Sequence, residues 1–119
     1  SPVEGGIVDR IQQLLRYTKP LPPPGSFAEF FLLLKNTTDH RVEGWLTITP
    51  PDEWTIVPGE RLMMAVRSKG TIVAEFYLSI PALPASGPHF LRIKVTADEG
   101  LIAEAAFDLR DGLLFLVDD

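Results

Sequence analysis

The chain has 119 residues, no cysteine, and 11 basic against 16 acidic side chains, a formal net charge of −5. A chain of this length can build one domain that withdraws roughly two-thirds of its unfolded surface from water, so it needs no covalent staples. The missing thiols exclude disulfide frameworks, thiolate zinc sites and thiol catalysis, and the acidic balance repels phosphate backbones, which argues against nucleic acid as a partner.

The chain opens on Ser1-Pro2, with no initiator methionine and no signal-peptide pattern, and it is expected to be a segment of a longer polypeptide. Ile7, Val8, Ile11, Leu14 and Leu15 recur at helical spacing, with Asp9 early and Arg16 late, where each complements a helix dipole. The pattern predicts a short amphipathic helix over about Gly6 to Tyr17. Its apolar stripe would pack on this domain or a neighbouring one, or else mediate dimerisation. Lys19-Pro20-Leu21-Pro22-Pro23-Pro24-Gly25 cannot continue a helix and reads as a stiff, extended connector.

From Ser26 onward the pattern is strands and turns. Phe27 to Lys35 is apolar on both faces, as expected of a strand covered on both sides, and Asn36 to His40 supplies a polar turn. Arg41 to Thr49 alternates, with Val42, Leu46 and Ile48 on one side and Trp45, Thr47 and Thr49 on the other; Gly44 marks a candidate bulge. Trp54 to Val57 and Arg61 to Arg67 are shorter strands, closed by Pro58-Gly59 and Ser68-Lys69-Gly70. The clearest stretch follows. Ile72, Ala74, Phe76, Leu78 and Ile80 share one face, then Leu91, Ile93 and Val95, then Leu101, Ala103, Ala105, Phe107 and Leu109, each with a period of two. A last run covers Leu113 to Val117, and its apolar length, like that of Phe30 to Leu34, falls far short of the ~20 residues of a membrane-spanning helix. No membrane insertion is expected. Short strands at regular intervals, with most of the eleven prolines in turns, predict an antiparallel sandwich.

Several features in order carry a family resemblance: Leu34-Lys35-Asn36-Thr37-Thr38, then Gly44 to Pro50 as Gly-x-Leu-x-Ile-x-Pro, then Glu53-Trp54-Thr55-Ile56-Val57-Pro58, then Glu75 to Pro81, a Pro/Gly loop at Ala82 to Pro88, and the strand His89 to Thr96. This series resembles the immunoglobulin-like accessory domain appended to bacterial alpha-galactosidases and other carbohydrate-active enzymes. The resemblance implies an all-β immunoglobulin-like fold without catalytic residues, packed beside an enzyme domain as a spacer or support. The N-terminal segment and the hairpin after Asp98 depart from the pattern.

The chemistry-bearing residues are sparse. His40 lies in a turn and His89 opens a strand; neither stands in helical metal-ligand spacing, and Ser26, Ser68, Ser79 and Ser86 lack a nucleophile elbow. Glu29, Glu43, Glu75 and Glu104 fall at strand positions and read as surface charge, because a glycosidase needs two carboxyls facing across a cleft. Asp108 to Gly112 and Asp118-Asp119 lack the spacing of a calcium loop and read as a turn. No cofactor, metal or catalytic residue is expected. Asn36-Thr37-Thr38 matches a glycosylation acceptor, read here as turn chemistry unless the chain is of eukaryotic secretory origin.

Trp45, Tyr77 and Phe90 are placed outward by the alternation, and Trp54 is a further candidate ring. On one sheet the outward three would form an apolar patch, either docking carbohydrate or protein, or covered by the N-terminal helix or an adjacent domain; the second reading gives the helix a place to bury its stripe.

The sequence thus predicts an immunoglobulin-like antiparallel β-sandwich of about seven or eight strands at 26–119, preceded by a short N-terminal helix and proline-rich connector at 1–25. Its expected role is a non-catalytic accessory or interaction module of a larger exported bacterial protein, extracellular or periplasmic. Its partner would be an adjacent domain of the same polypeptide or another protein. One alternative is a carbohydrate-binding module stacking sugars on Trp45, Tyr77 and Trp54. Another is an adhesion or assembly domain that forms homodimers or larger oligomers through edge strands such as Leu113 to Val117.

Overall fold

A computed structural model describes residues 10–17, 22–98, 100–109 and 113–116, with Tyr17 and the last four by backbone alone. Among these residues there are nine strands and no helix: β1 (Ile11–Tyr17), β2 (Phe27–Asn36), β3 (Val42–Thr49), β4 (Thr55–Val57), β5 (Arg61–Val66), β6 (Thr71–Ser79), β7 (Phe90–Ala97), β8 (Gly100–Asp108) and β9 (Leu113–Leu116). They form two antiparallel sheets, one of four strands in the order β1-β2-β6-β4 and one of five in the order β5-β3-β7-β8-β9. The chain crosses between sheets at each step from β2 to β7, whereas β1–β2, β7–β8 and β8–β9 are neighbours both in sequence and in a sheet.

The alternation builds the interior. Phe30, Leu32 and Leu34 from β2, Phe76 and Leu78 from β6, Leu46 and Ile48 from β3, and Leu91, Ile93 and Val95 from β7 are fully or almost fully buried between the sheets, each contributing roughly 1.5–3 kcal/mol by leaving water. Phe30 and Phe76, paired across β2 and β6, stack with ring centroids 5.3 Å apart.

The N-terminal expectation is corrected. The described part of the segment read as a helix, Ile11–Tyr17, is strand β1, which pairs with β2 from Ile11↔Asn36 to Tyr17↔Phe30; residues 6–9 and Thr18 to Leu21 lie outside the described residues. β1 buries Ile11 and turns Leu14 outward. A strand suits this segment because the long free edge of β2 offers it a full ladder, whereas an isolated short helix is marginal in water. The end of the connector is also tied down: Gly25, at φ 86°, donates to the carbonyls of Ile80 (3.0 Å) and Pro81 (3.2 Å). Both β1 and the Gly25 end of the connector are thus hydrogen-bonded to the four-stranded sheet or to the residues just after it.

Two features quoted from the sequence serve the frame. Asn36 is fully buried at the end of β2. Its amide nitrogen donates to the carbonyls of His40 (2.8 Å), Val66 (3.1 Å) and Arg67 (3.2 Å), two protons shared among three acceptors, while its oxygen accepts from Thr38 N–H (2.9 Å) and Thr38 Oγ1–H (2.7 Å). This side chain pins the β2–β3 turn and the end of β5 to the four-stranded sheet. In the folded chain Asn36 is accordingly no glycan acceptor. Gly44 lies where β3 and β7 press together, and a Cβ there would run into the Thr96 carbonyl and sit 2.7 Å from the Ala97 Cα. The expected bulge is not in β3. It lies next door, where the β7–β8 register shifts at Val95/Thr96 and leaves Ile102 as the extra, buried residue of β8.

Asn36→Ala should lower stability by about 3 kcal/mol, because three carbonyls and an amide lose their partner in a buried site, and Gly44→Ala by about 2 kcal/mol through overpacking. Urea titration checks both; a change under ~0.5 kcal/mol in either would contradict the role assigned here.

Candidate interaction surface

Outward residues of the four-stranded sheet form ordered rows. The ladder registers place Leu14, Leu33 and Val73 side by side across β1, β2 and β6, with Arg16, Phe31 and Glu75 in the next row. Glu29, Tyr77 and Val57 follow across β2, β6 and β4, then Phe27, Ser79 and Thr55. Val73 is 58% exposed and Phe27 61%, while Phe31 and Leu33 are half-buried. β2 had been expected to be covered on both sides. Its buried residues instead alternate with exposed or half-buried ones, and among the described residues no second layer covers that face. Three adjacent strands thus present one apolar stripe, larger than scattered surface residues normally give.

Charges edge the stripe. Tyr77 Oη donates to Glu29 Oε2 (3.1 Å) and lies 3.3 Å from Glu75 Oε1. The hydrogen bond to Glu29 and the nearby negative charge of both carboxylates hold the Tyr77 phenol above its ordinary pKa. Arg16 lies on the opposite, β1 side of the stripe, with Lys35 beyond its end.

The rings picked from the sequence do not come together. Trp45 and Phe90 sit on the outer face of the five-stranded sheet, but Trp45 pairs with Thr96, six residues along β7 from Phe90, or roughly 20 Å. Tyr77 is on the other sheet. One face of Trp45 is already occupied, with the Arg61 guanidinium 3.9 Å above its centroid. Trp54 is buried, 6% exposed, and packs against His89 at 4.8 Å between ring centroids; it belongs to the core and offers no stacking surface.

Polar candidates for catalysis are equally dispersed. His40 and His89 fall at opposite ends of the sandwich, flanking the start of β3 and the start of β7. Ser68 is engaged in a turn through Thr38 O (3.2 Å). Glu43 is paired with Arg41 (2.8 Å). No cluster of three metal-ligating side chains occurs among the described residues; of the acids weighed for calcium, Asp108 is buried in β8, and Asp111, Asp118 and Asp119 lie outside those residues. The depressions near Glu43 and Asp98 and near His89 and Phe90, about 400 Å³ each, are open grooves.

The grouping of Glu29, Tyr77 and Glu75 was not foreseen. The signal was present as Glu75-Phe76-Tyr77, which puts a carboxylate and a phenol on one face of a strand, but the third member needed the β2–β6 register.

Glu29→Gln should bring the Tyr77 phenol back toward its ordinary pKa, as read by alkaline ultraviolet titration of the Tyr17→Phe background. A folded-state pKa raised above the unfolded one contributes stability that is fully present below the unfolded value and is lost as pH rises through the folded value. The wild-type chain should therefore lose a Tyr77 contribution as pH rises into the alkaline range, and Glu29→Gln, which has less of that contribution, should lose less. Coincident titrations of wild type and variant would contradict the assignment.

No family model and no curated protein matches the chain. Among solved structures, it is similar to a FixG-related protein from Vibrio parahaemolyticus, with a TM-score of 0.60 and 15% identity over 85% of this chain and 97% of that one. It is also similar to BslA, described as a bacterial hydrophobin, at TM-score 0.40 and 20% identity, covering 87% and 96% of the two chains. A lipoprotein from Bacteroides thetaiotaomicron matches at TM-score 0.41 and 12% identity, covering 91% and 82%. The first shares the fold alone; the other two are too distant to bear on function.

Proposed function

We propose that this chain is an immunoglobulin-like, non-catalytic accessory module of a larger exported protein, a rigid support that meets its neighbour through the outer face of its four-stranded sheet. The observation that carries the reading is the stripe of Leu14, Phe31, Leu33 and Val73 across three hydrogen-bonded strands. Such a stripe costs solubility and adds nothing to the core, and a contact surface is the use that repays it. The two-sheet frame supports a mechanical role, because a neighbour held against that face is held at a fixed orientation to the sandwich.

The resemblance to accessory domains of bacterial carbohydrate-active enzymes is consistent with the parts that Asn36, Gly44 and Trp54 play: each of these motif residues works within the frame. An extracellular or periplasmic location goes with this reading. The carbohydrate-binding alternative is less well supported, since Trp45, Tyr77 and Trp54 share no platform.

Titration with soluble oligosaccharides and polysaccharides tests the choice. The accessory reading predicts no saturable heat or fluorescence change; saturable binding abolished by Trp45→Ala would overturn it in favour of a carbohydrate-binding module.

A further inference from the structure

The stripe has a charge pattern that selects its own occupant. In the row Arg16-Phe31-Glu75 a cation and an anion flank an aromatic ring, with the two charged strands each one step from β2. The adjoining row, Leu14-Leu33-Val73, is apolar throughout. Rotating this face by half a turn about an axis along β2 exchanges β1 with β6. The rotated surface then offers Glu75 where Arg16 stands, Val73 where Leu14 stands, and Phe31 and Leu33 at their own positions.

Resting on the reading of this face as a contact surface, we propose that it closes on the same face of a second copy of the chain, about a two-fold axis close to the direction of β2. Arg16 of each copy meets Glu75 of the other, and the two apolar rows interdigitate. Self-complementarity of this kind is what an isologous interface requires. An axis inclined by about 15° to β2 also gives the crossing angle of about 30° at which sheets pack face to face. A rotation about an axis across the strands is the competing geometry. It pairs Lys35 with Glu29 but sets Leu14 against Arg16 and Val73 against Glu75, which buries charge on hydrocarbon.

Lys35 and Glu29 each fall on the axis, facing their own copies. They lie at the two ends of the stripe, where long side chains reach water, and the hydrogen bond to Tyr77 draws Glu29 toward β6. Three strands of β2's length cover about 500 Å² per copy, so the interface sits at the low end of specific association and the dimer is a reversible one.

Sedimentation velocity of the whole chain from roughly 1 to roughly 500 μM should show a monomer–dimer equilibrium. Arg16→Glu alone and Glu75→Arg alone each place like charges together twice in the dimer and should weaken association about tenfold or more. An equimolar mixture of the two variants restores both opposite-charge contacts across the interface, and should associate within a few-fold of wild type. An effect confined to one chain cannot produce that rescue. Melting temperatures of the single variants, expected within a few degrees of wild type, show that each is folded. A strictly monomeric wild type, singles that dimerise as well as wild type, or a mixture no tighter than either variant would overturn the proposal. So would rescue by mixing Lys35→Glu with Glu29→Lys instead. None of these results touches the accessory reading, which stands or falls on the saccharide titration.

Discussion

One amide side chain fastens the two sheets at one end of the sandwich. Asn36 closes the last position of β2 in the four-stranded sheet, and its nitrogen reaches the carbonyls at the end of β5 in the other sheet. The same side chain folds the turn into β3 through Thr38 and His40. All of its hydrogen-bonding capacity is used, and the side chain itself is fully buried, where an unmatched donor would be costly. The ladders of β2 with β1 and β6 run from this anchored end, where Asn36 pairs with Ile11 and Lys35 with Thr71, and the buried pattern along β2 decides which residues face outward.

That choice decides what the surface can do. Because β2 buries Phe30, Leu32 and Leu34, the period of two sends Phe31 and Leu33 outward. β1 and β6 then add Leu14 and Val73 to the same row. The five-stranded sheet is organised differently. Its outward face mixes Arg92 and Lys94 with Glu104 along paired strands, and Trp45 has one ring face under the Arg61 guanidinium. The two outer faces are thus unequal, and the apolar one belongs to the sheet that Asn36 terminates.

Most of the architecture was legible. β6 and β7 followed the two-residue period faithfully, since Phe76, Leu78, Leu91, Ile93 and Val95 all point inward. β8 was read correctly from Ala103 to Leu109, but a bulge, invisible to any fixed period, puts Ile102 into the interior and pairs Leu101 with the outward Thr96, off the face it was read on. β1 was missed for a physical reason. Ile11, Leu14 and Leu15 fit a helical stripe because Leu14 is an apolar residue on an outward strand position, and because the inward Gln13 is polar, with both amide atoms buried and without a hydrogen-bond partner among the described residues. A segment that breaks alternation on both faces looks like a helix to a periodicity argument. The same fact hid the surface: single residues of the stripe were visible, but their adjacency depends on three registers, which only the fold supplies. The aromatic residues singled out from the sequence were misleading because ring type alone says nothing of sheet membership, as Trp54 in the core and Tyr77 on the opposite sheet from Trp45 illustrate.

The central claim is that the outer face of the four-stranded sheet closes on the same face of a second copy. Methyl-resolved nuclear magnetic resonance over a concentration series tests it most directly. The account predicts concentration-dependent shifts at Leu14, Leu33 and Val73, with Met63, on the outer face of the other sheet, and the core methyls of Ile48 and Ile93 unmoved. Shifts clustered at Met63 and its neighbours with the stripe silent, or spectra unchanged at every position, would contradict it.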